Sequence, residues 1–311
     1  MTRREMFLLA SAVGVAGAKE ASVSFGIIAD VHHGLMPDAH DRLRAFLEAA
    51  SGRKLDFLVQ LGDFCHPGTE SREFLRDWHG ARTAKYSVLG NHDMDKGSKR
   101  EILDALRQER SYYSFDAGGV HFVVLDCNYI RIDRGFVDFD RGNYFQAPTA
   151  RDWVSAEQME WLEADLNASK LPGVVFAHQP VYSHWGLPAP EPRRAVREVF
   201  ARVKAKRRDA VMVCFGGHQH VDDSMRFEDV EYIHINSASY FWVGEEYGRL
   251  AKYRDPLFGF VTIADGRMTI EGRQSVLLPP TPSERKHPDA ARITAALSSR
   301  KLSLKASKET R

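Results

Sequence analysis

The stretch Phe25-Gly26-Ile27-Ile28-Ala29-Asp30-Val31-His32 sets the reading of this chain. Four later stretches share its design: Phe57-Leu58-Val59-Gln60-Leu61-Gly62-Asp63, Tyr86-Ser87-Val88-Leu89-Gly90-Asn91-His92-Asp93, Val174-Val175-Phe176-Ala177-His178 and Val211-Met212-Val213-Cys214-Phe215-Gly216-Gly217-His218-Gln219-His220. In each, a run rich in apolar and β-branched residues stops at His, Asp or Asn. Such runs describe strands buried on both faces. Ligands placed just past them collect at the carboxyl edge of a sheet, where open α/β folds bind their ligands.

Between these stretches the pattern changes to helix. Leu43–Ala50, closed by Gly52, Glu70–Trp78, Arg100–Arg110 and Arg194–Lys206 have amphipathic or helical spacing. Ser155–Leu166 adds a helix with Ser155 as N-cap and Gln158 three residues on, a capping box. Strands alternating with helices argue for βαβ units with right-handed crossovers, an α/β fold. Tyr112–Phe115 and Val120–Asp126 flank Gly118-Gly119 and read as a hairpin, and Asp265-Gly266 marks another between Phe258–Ile263 and Met268–Ile270. This second set of strands points to a second sheet packed on the first. Asn128–Asp152 has no clear period and reads as a lid or specificity loop, as does Val181–Pro192. Asp30 and His32, two residues apart, are expected to aim the same way by strand alternation.

The candidates at the strand ends are Asp30, His32, Asp63, Asn91, His92, His178, His218 and His220. Mixed imidazole and carboxylate ligands suit zinc, iron or manganese and not calcium or magnesium. One metal uses about four protein ligands, so this set exceeds one ion and suits two with a residue to spare. Asp63 is the natural bridge, because a carboxylate has two oxygens. Two adjacent ions clamp a phosphoryl group and acidify a bridging water, so that hydroxide is available near neutral pH. The implied chemistry is hydrolysis of a phosphate ester.

Asp30-Val31-His32, Gly62-Asp63, Gly90-Asn91-His92-Asp93, His178 and Gly217-His218-Gln219-His220 together resemble the ordered signature of the calcineurin-like metallophosphoesterase superfamily, over roughly Val23 to Ile270. The resemblance implies a four-layer α/β/β/α sandwich with two packed mixed sheets. It implies one ion on Asp30, His32, Asp63 and His220 and another on Asp63, Asn91, His178 and His218, with His92 protonating the leaving oxygen. His66 stands where purple acid phosphatases carry a tyrosine, which argues against an iron–tyrosinate centre. Phe64-Cys65-His66-Pro67-Gly68 replaces the Asp-Arg-Gly of protein Ser/Thr phosphatases, so the carboxylate partner of His92 is unassigned, with Asp93 a candidate. The motif style looks more like bacterial phosphodiesterases and small-molecule phosphatases, including cyclic-nucleotide and nucleotide-diphosphate hydrolases. A non-catalytic, metal-stabilised binding protein of this fold is the rival, but such a chain is expected to lose ligands or the acid.

Several readings are plainer. The formal charge of +1 gives no general attraction to nucleic acid or membrane. The expected partner is a small phosphate ester. Cys65, Cys127 and Cys214 form no disulfide framework; two of them sit within or just after apolar runs and read as buried thiols, while Cys65 follows Asp63 closely and is expected near the site, with no role assigned. His121 and His234 read as packing or surface residues, and Tyr240-Phe241-Trp242 as core or rim. Asn91, His184 with Trp185, and Tyr129, Arg131, Arg134 and Arg141, are candidates for substrate contact, since the guanidinium fork suits phosphate. Thr2-Arg3-Arg4, an apolar stretch from Met6 and Ala16-Gly17-Ala18 describe a bacterial signal peptide over residues 1–18, with the paired arginines of the twin-arginine route. The expectation is therefore export to the periplasm, with no transmembrane anchor in the mature chain. Residues 19–278 are expected to form the catalytic domain and 279–311 a polar, basic, poorly ordered tail with a helix near Ala290–Leu297.

Overall fold

The computed structural model describes residues 22–143, 145–185 and 193–304. Its first elements are β1 (Ser22–Ile28), α1 (Ala39–Ser51), β2 (Phe57–Gln60), α2 (Arg72–Gly80) and β3 (Ala84–Ser87). A 3-10 turn, Asn91–Met94, leads to α3 (Lys99–Leu106), β4 (Tyr113–Ala117), β5 (Val120–Val124), β6 (Tyr129–Ile132) and β7 (Gly135–Asp138). Next come α4 (Ala156–Ala168), β8 (Gly173–Phe176), α5 (Arg194–Lys206), β9 (Val213–Gly216), β10 (Asp223–Phe227) and β11 (Val230–His234). The chain continues through β12 (Tyr240–Trp242), β13 (Leu250–Lys252), β14 (Gly259–Ala264), β15 (Arg267–Glu271) and β16 (Arg300–Ser303).

Two mixed sheets result, in the orders β16-β15-β14-β1-β2-β3 and β10-β11-β9-β8-β5-β4. β1, β2 and β3 are parallel, as are β5, β8, β9 and β11. The apolar runs are buried on both faces because each sheet is covered twice. Phe25, Phe57, Phe122, Phe176 and Phe215 pack between the sheets, with Phe25 stacked on Phe57 at 4.7 Å between ring centres. On the outer side of the first sheet, Ile28 and Leu58 meet Phe46 of α1 and Trp78 of α2. On the outer side of the second, Val123 and Val175 meet Leu162 of α4 and Phe200 of α5. Each such side chain contributes about 1.5–3 kcal/mol by leaving water. Helix, sheet, sheet and helix form four layers, and the parallel strands present their carboxyl ends along one edge.

Three expectations change. The stretch Asn128–Asp152 is not irregular throughout: β6 and β7 pair antiparallel from Tyr129↔Asp138 to Ile132↔Gly135. Its exposed positions break the apolar alternation, which hides the hairpin from a periodicity reading. Ser155 caps α4 by accepting from Gln158 N–H, but Gln158 does not return the bond. Its side-chain amide instead pairs with both backbone groups of Asp126, a buried tertiary demand that wins over the local box.

The third change is the carboxyl end. Turns replace the helix expected near Ala290–Leu297, and β16 pairs with β15 from Arg267↔Ser303 to Ile270↔Arg300. Leu297 is fully buried in the inter-sheet core, over Gly259, where a side chain on the strand would collide with it. The tail is thus part of the fold as far as residue 304, because three apolar positions, Ile293, Ala296 and Leu297, are buried despite their polar surroundings.

β4, β5 and α4 are joined by His121, whose Nδ1 lies 2.7 Å from Asp116 Oδ1 and whose Nε2 lies 2.8 Å from Asp165 Oδ2. Two carboxylates on one ring favour the imidazolium. Burial acts to lower the His121 pKa, but the bonds to Asp165 and Asp116 outweigh it and the value is raised. A raised folded-state pKa stabilises fully below the unfolded value of about 6.5, and that stabilisation fades as pH rises through the folded value. His121→Gln is therefore expected to be less stable than wild type at pH 6, with a smaller gap at pH 9. Urea melts at the two pH values check this, and an equal gap at both would contradict the ion-pair account.

Candidate metal centre and the cleft beside it

The strand ends do more than stop. Asp30, His32, Asp63, His218 and His220 all have left-handed backbones, with φ of 53°, 54°, 49°, 68° and 53°. Such conformations cost energy for residues other than glycine and cluster at functional sites. Asp30 and His32 therefore do not aim together by strand alternation. β1 has ended at Ile28, and two left-handed residues turn both side chains to one side. The turns are held by backbone bonds from Asp30 N to Gly62 O and from His32 N to Asp63 O, at 3.1 and 2.8 Å. Gly62 has φ of 94°, and a Cβ there would sit 2.6 Å from His178 Nδ1. At Gly90 a Cβ would run into the Asp63 carboxylate, so the chain before Asn91 approaches that group only as glycine.

Two ligand groups converge. Asp30, His32, Asp63 and His220 offer atoms within 4.8 Å of one another, and so do Asp63, His178 and His218. His32 Nε2 faces His220 Nε2 at 3.1 Å, and His220 Nε2 lies 3.2 Å from Asp30 Oδ1. Asp63 Oδ2 lies 3.7 Å from His32 Nε2 and 3.1 Å from His178 Nε2, so it belongs to both groups. His218 Nδ1 is 3.2 Å from His178 Nε2. Asn91 is buried at the start of the 3-10 turn, between Gly90, which abuts Asp63, and His92, whose N–H donates to Asp63 Oδ1 at 2.8 Å.

The donor set fits cations. His178 Nδ1 donates to the Leu61 carbonyl at 2.8 Å, which fixes its ring and turns Nε2 toward Asp63 and His218. Burial lowers the pKa of His32 and, with the neighbouring His178, that of His218, so both are neutral and keep lone pairs. Burial also opposes charge on His178, but the Asp63 carboxylate prevails and raises it to about 9. Two nitrogen-and-oxygen clusters sharing one carboxylate are the pattern of a dinuclear site for transition metals.

His92 stands beside this cluster, with its ring centre 5.3 Å from that of His32. Its carboxylate partner is not Asp93 but Asp95, whose Oδ2 lies 2.8 Å from His92 Nδ1. Asp93 points the other way and accepts N–H bonds from Phe64, Cys65 and Gly90, which brace the turns on both sides of the site. Burial and the charge of Asp63 push Asp93 up to about 7, against those three donors. Burial acts to lower His92, but Asp63 and Asp95 together raise it, which favours a proton on the ring. The signal for Asp95 was present in the sequence: on a short helical turn, a residue three places on shares a face.

A cleft of about 220 Å³ opens here, and His32, Asp63 and His92 are among its lining residues. Trp242, Arg249, Lys96 and His66 line it too; the sequence marked Trp242 only as core or rim and His66 only for the tyrosine it replaces, and did not point to Arg249 or Lys96. The loop candidates do not line it. Arg131 lies over the Trp153 ring, Arg141 pairs with Glu101, His184 lies near Asp223, and Tyr129 covers Lys99. Arg134 is exposed at the turn between β6 and β7. Arg131, Arg141, His184 and Tyr129 thus have neighbours of their own away from the cleft. Residues 186–192 of the second loop lie outside the described residues.

If Asp63 joins two ions, Asp63→Asn is expected to lose metal from both positions. Elemental analysis of protein purified without chelator checks this, and two ions per chain in that variant would contradict the bridging arrangement.

The model of the calcineurin-like phosphoesterase family matches residues 23–222. No curated protein matches the sequence. Among solved structures, a dimetal phosphatase from Danio rerio is similar with a TM-score of 0.60 and 16% identity, covering 83% of this chain and 99% of its own. GAP50 of Plasmodium, the anchor in the inner membrane complex, is similar with a TM-score of 0.54 and 13% identity, covering 93% of this chain and 91% of its own. At such identities these likenesses show the fold. The family match spans all five strand-end motifs, and with it this chain belongs to the calcineurin-like phosphoesterases, a family of metal-dependent phosphoester hydrolases.

Proposed function

We propose that the protein hydrolyses a small phosphate mono- or diester at two transition-metal ions, manganese, iron or zinc. Asp30, His32, Asp63 and His220 hold one, and Asp63, Asn91, His178 and His218 the other. The observation that carries this reading is the convergence of two buried ligand groups on the single carboxylate of Asp63. Two cations there would supply the Lewis acidity that clamps a phosphoryl group and lowers the pKa of water between them. The chain's own part is orientation and proton transfer. His218 N–H donates to both oxygens of Asp30, at 3.0 and 3.1 Å, and fixes that carboxylate. Asp95 accepts from His92 Nδ1, leaving Nε2 to give its proton to the departing oxygen in the cleft.

A nucleotide pyrophosphatase or cyclic-nucleotide phosphodiesterase is a narrower form of the same chemistry. The scaffold alternative is disfavoured because every ligand position and His92 is filled. His92→Ala is expected to keep both metals and lose about 10²–10⁴ in turnover, the usual range for a positioned acid. Assays of metal-loaded protein on p-nitrophenyl phosphate, bis-p-nitrophenyl phosphate and cyclic AMP check this and separate the ester classes. Unchanged turnover in the variant would remove His92 from the mechanism, and no turnover of any ester by wild type would favour the scaffold.

We infer further that the chain is exported by the twin-arginine route, from Arg3-Arg4 and the apolar stretch that follows. Those residues lie outside the described part, and among the described residues no helix is long and apolar enough to cross a membrane. The full-length chain expressed in a bacterium should appear in the periplasmic fraction, and Arg3→Lys with Arg4→Lys should keep it in the cytoplasm. Equal distribution of the two forms would refute the route.

A further inference from the structure

The cleft is lopsided about the ligand cluster. His32 and Asp63 open into it, whereas His178 and His218 do not. A phosphoryl group seated on the cluster therefore sends the rest of its substrate past His92 and into this cleft. What lies there is aromatic and cationic. The Trp242 ring, at the end of β12, is 6.3 Å from the His92 ring and inclined to it by 28°. The Arg249 guanidinium, just before β13, is 5.1 Å from the Trp242 ring centre. Lys96, just past the 3-10 turn, lines the same space.

The charges of these two cations are not neutralised as others are. Arg44, Arg53, Arg141 and Arg226 each lie within ion-pair distance of a carboxylate. Among the described residues, Lys96 and Arg249 have no such partner. The carboxylates that line the cleft are engaged elsewhere: Asp63 with the ligand histidines, Asp93 with backbone N–H groups, Asp95 with His92. Two positive charges, drawn from separate elements, thus line the same cleft as His92.

We propose that Lys96 and Arg249 form a subsite for a second anionic group, a phosphate or carboxylate, carried by the part of the substrate beyond the scissile bond. The preferred substrates are then phosphoesters whose leaving group is itself negatively charged, with the Trp242 face supporting the stem between the two anions. Arginine offers a planar fork and lysine a mobile point charge, a pair suited to either anion. The subsite has this meaning only if the metal centre is the phosphoryl site proposed above.

The test compares phenylphosphonate with 4-carboxyphenylphosphonate, which differ by one anionic group, titrated calorimetrically into manganese-loaded protein. The carboxylated compound is expected to bind wild type about tenfold more tightly, the worth of one charge-assisted hydrogen bond. Lys96→Ala with Arg249→Ala should bring the ratio near one, Arg249→Lys should keep part of it, and Arg267→Ala, an exposed arginine of β15, should keep all of it. Equal affinities in wild type, or an undiminished ratio in the double variant, would overturn the subsite. Failure of both phosphonates to bind would instead overturn the phosphoryl site, and the subsite with it.

Discussion

A buried carboxylate with several neighbours competing for it organises this molecule. Asp63 is almost fully buried, where an unpaired charge is costly, yet it is held well below the usual carboxylate range. Burial works against the charge, and the imidazoles of His178 and His92 outweigh it. The His92 N–H takes one oxygen and the His178 ring the other. Meeting that demand requires strand ends from both sheets to arrive at one point, and the rest of the architecture serves to bring them there.

The sandwich supplies the rigidity this needs. Left-handed conformations at five of the site residues would relax in an isolated loop, but here each follows a strand locked into a parallel ladder. Outer contacts extend the brace. Ser237 and Ser239 donate to the carbonyls of Asp30 and Val31, and Gln60 links Gly62 to Val88. Asn128 joins the Leu89 carbonyl to Gln179, beside His178, so the turns carrying Asn91 and His178 share a strut. The same fold serves as an anchor in Plasmodium, so architecture alone does not separate a hydrolase from a scaffold. The filled ligand set and the family match make that distinction here.

The cleft shows a different logic from the metal centre. The ligands come from β-strand ends in both sheets, whereas the outer walls come from the 3-10 turn and from the small β12–β13 ribbon. Tyr240 and Trp242 of that ribbon pack edge to face at 5.0 Å, and Tyr240 lies against the rings of His32 and His220. The ribbon therefore ties the wall of the cleft that carries Trp242 to the candidate metal ligands His32 and His220.

The amino-acid sequence by itself determined the strands that carry the candidate ligands, the order of those ligands and the place of Asp63 in both groups, because buried strands and the residues that end them are written locally. It also carried the glycines at Gly62 and Gly90, whose reason is the close approach of chain to carboxylate. It left the partner of His92 open between Asp93, next in the chain, and Asp95, whose spacing of three suits a helical turn, and only the 3-10 turn itself decides for Asp95. Nor did it place Arg131, Arg134 and His184 outside the cleft, or Arg249, Trp242 and Lys96 within it, because those positions depend on how distant elements pack. The burial of Leu297 and the pairing of β16 were likewise decided by tertiary structure: a short polar segment becomes a strand when a neighbouring edge offers unpaired hydrogen bonds and the core has room for a side chain.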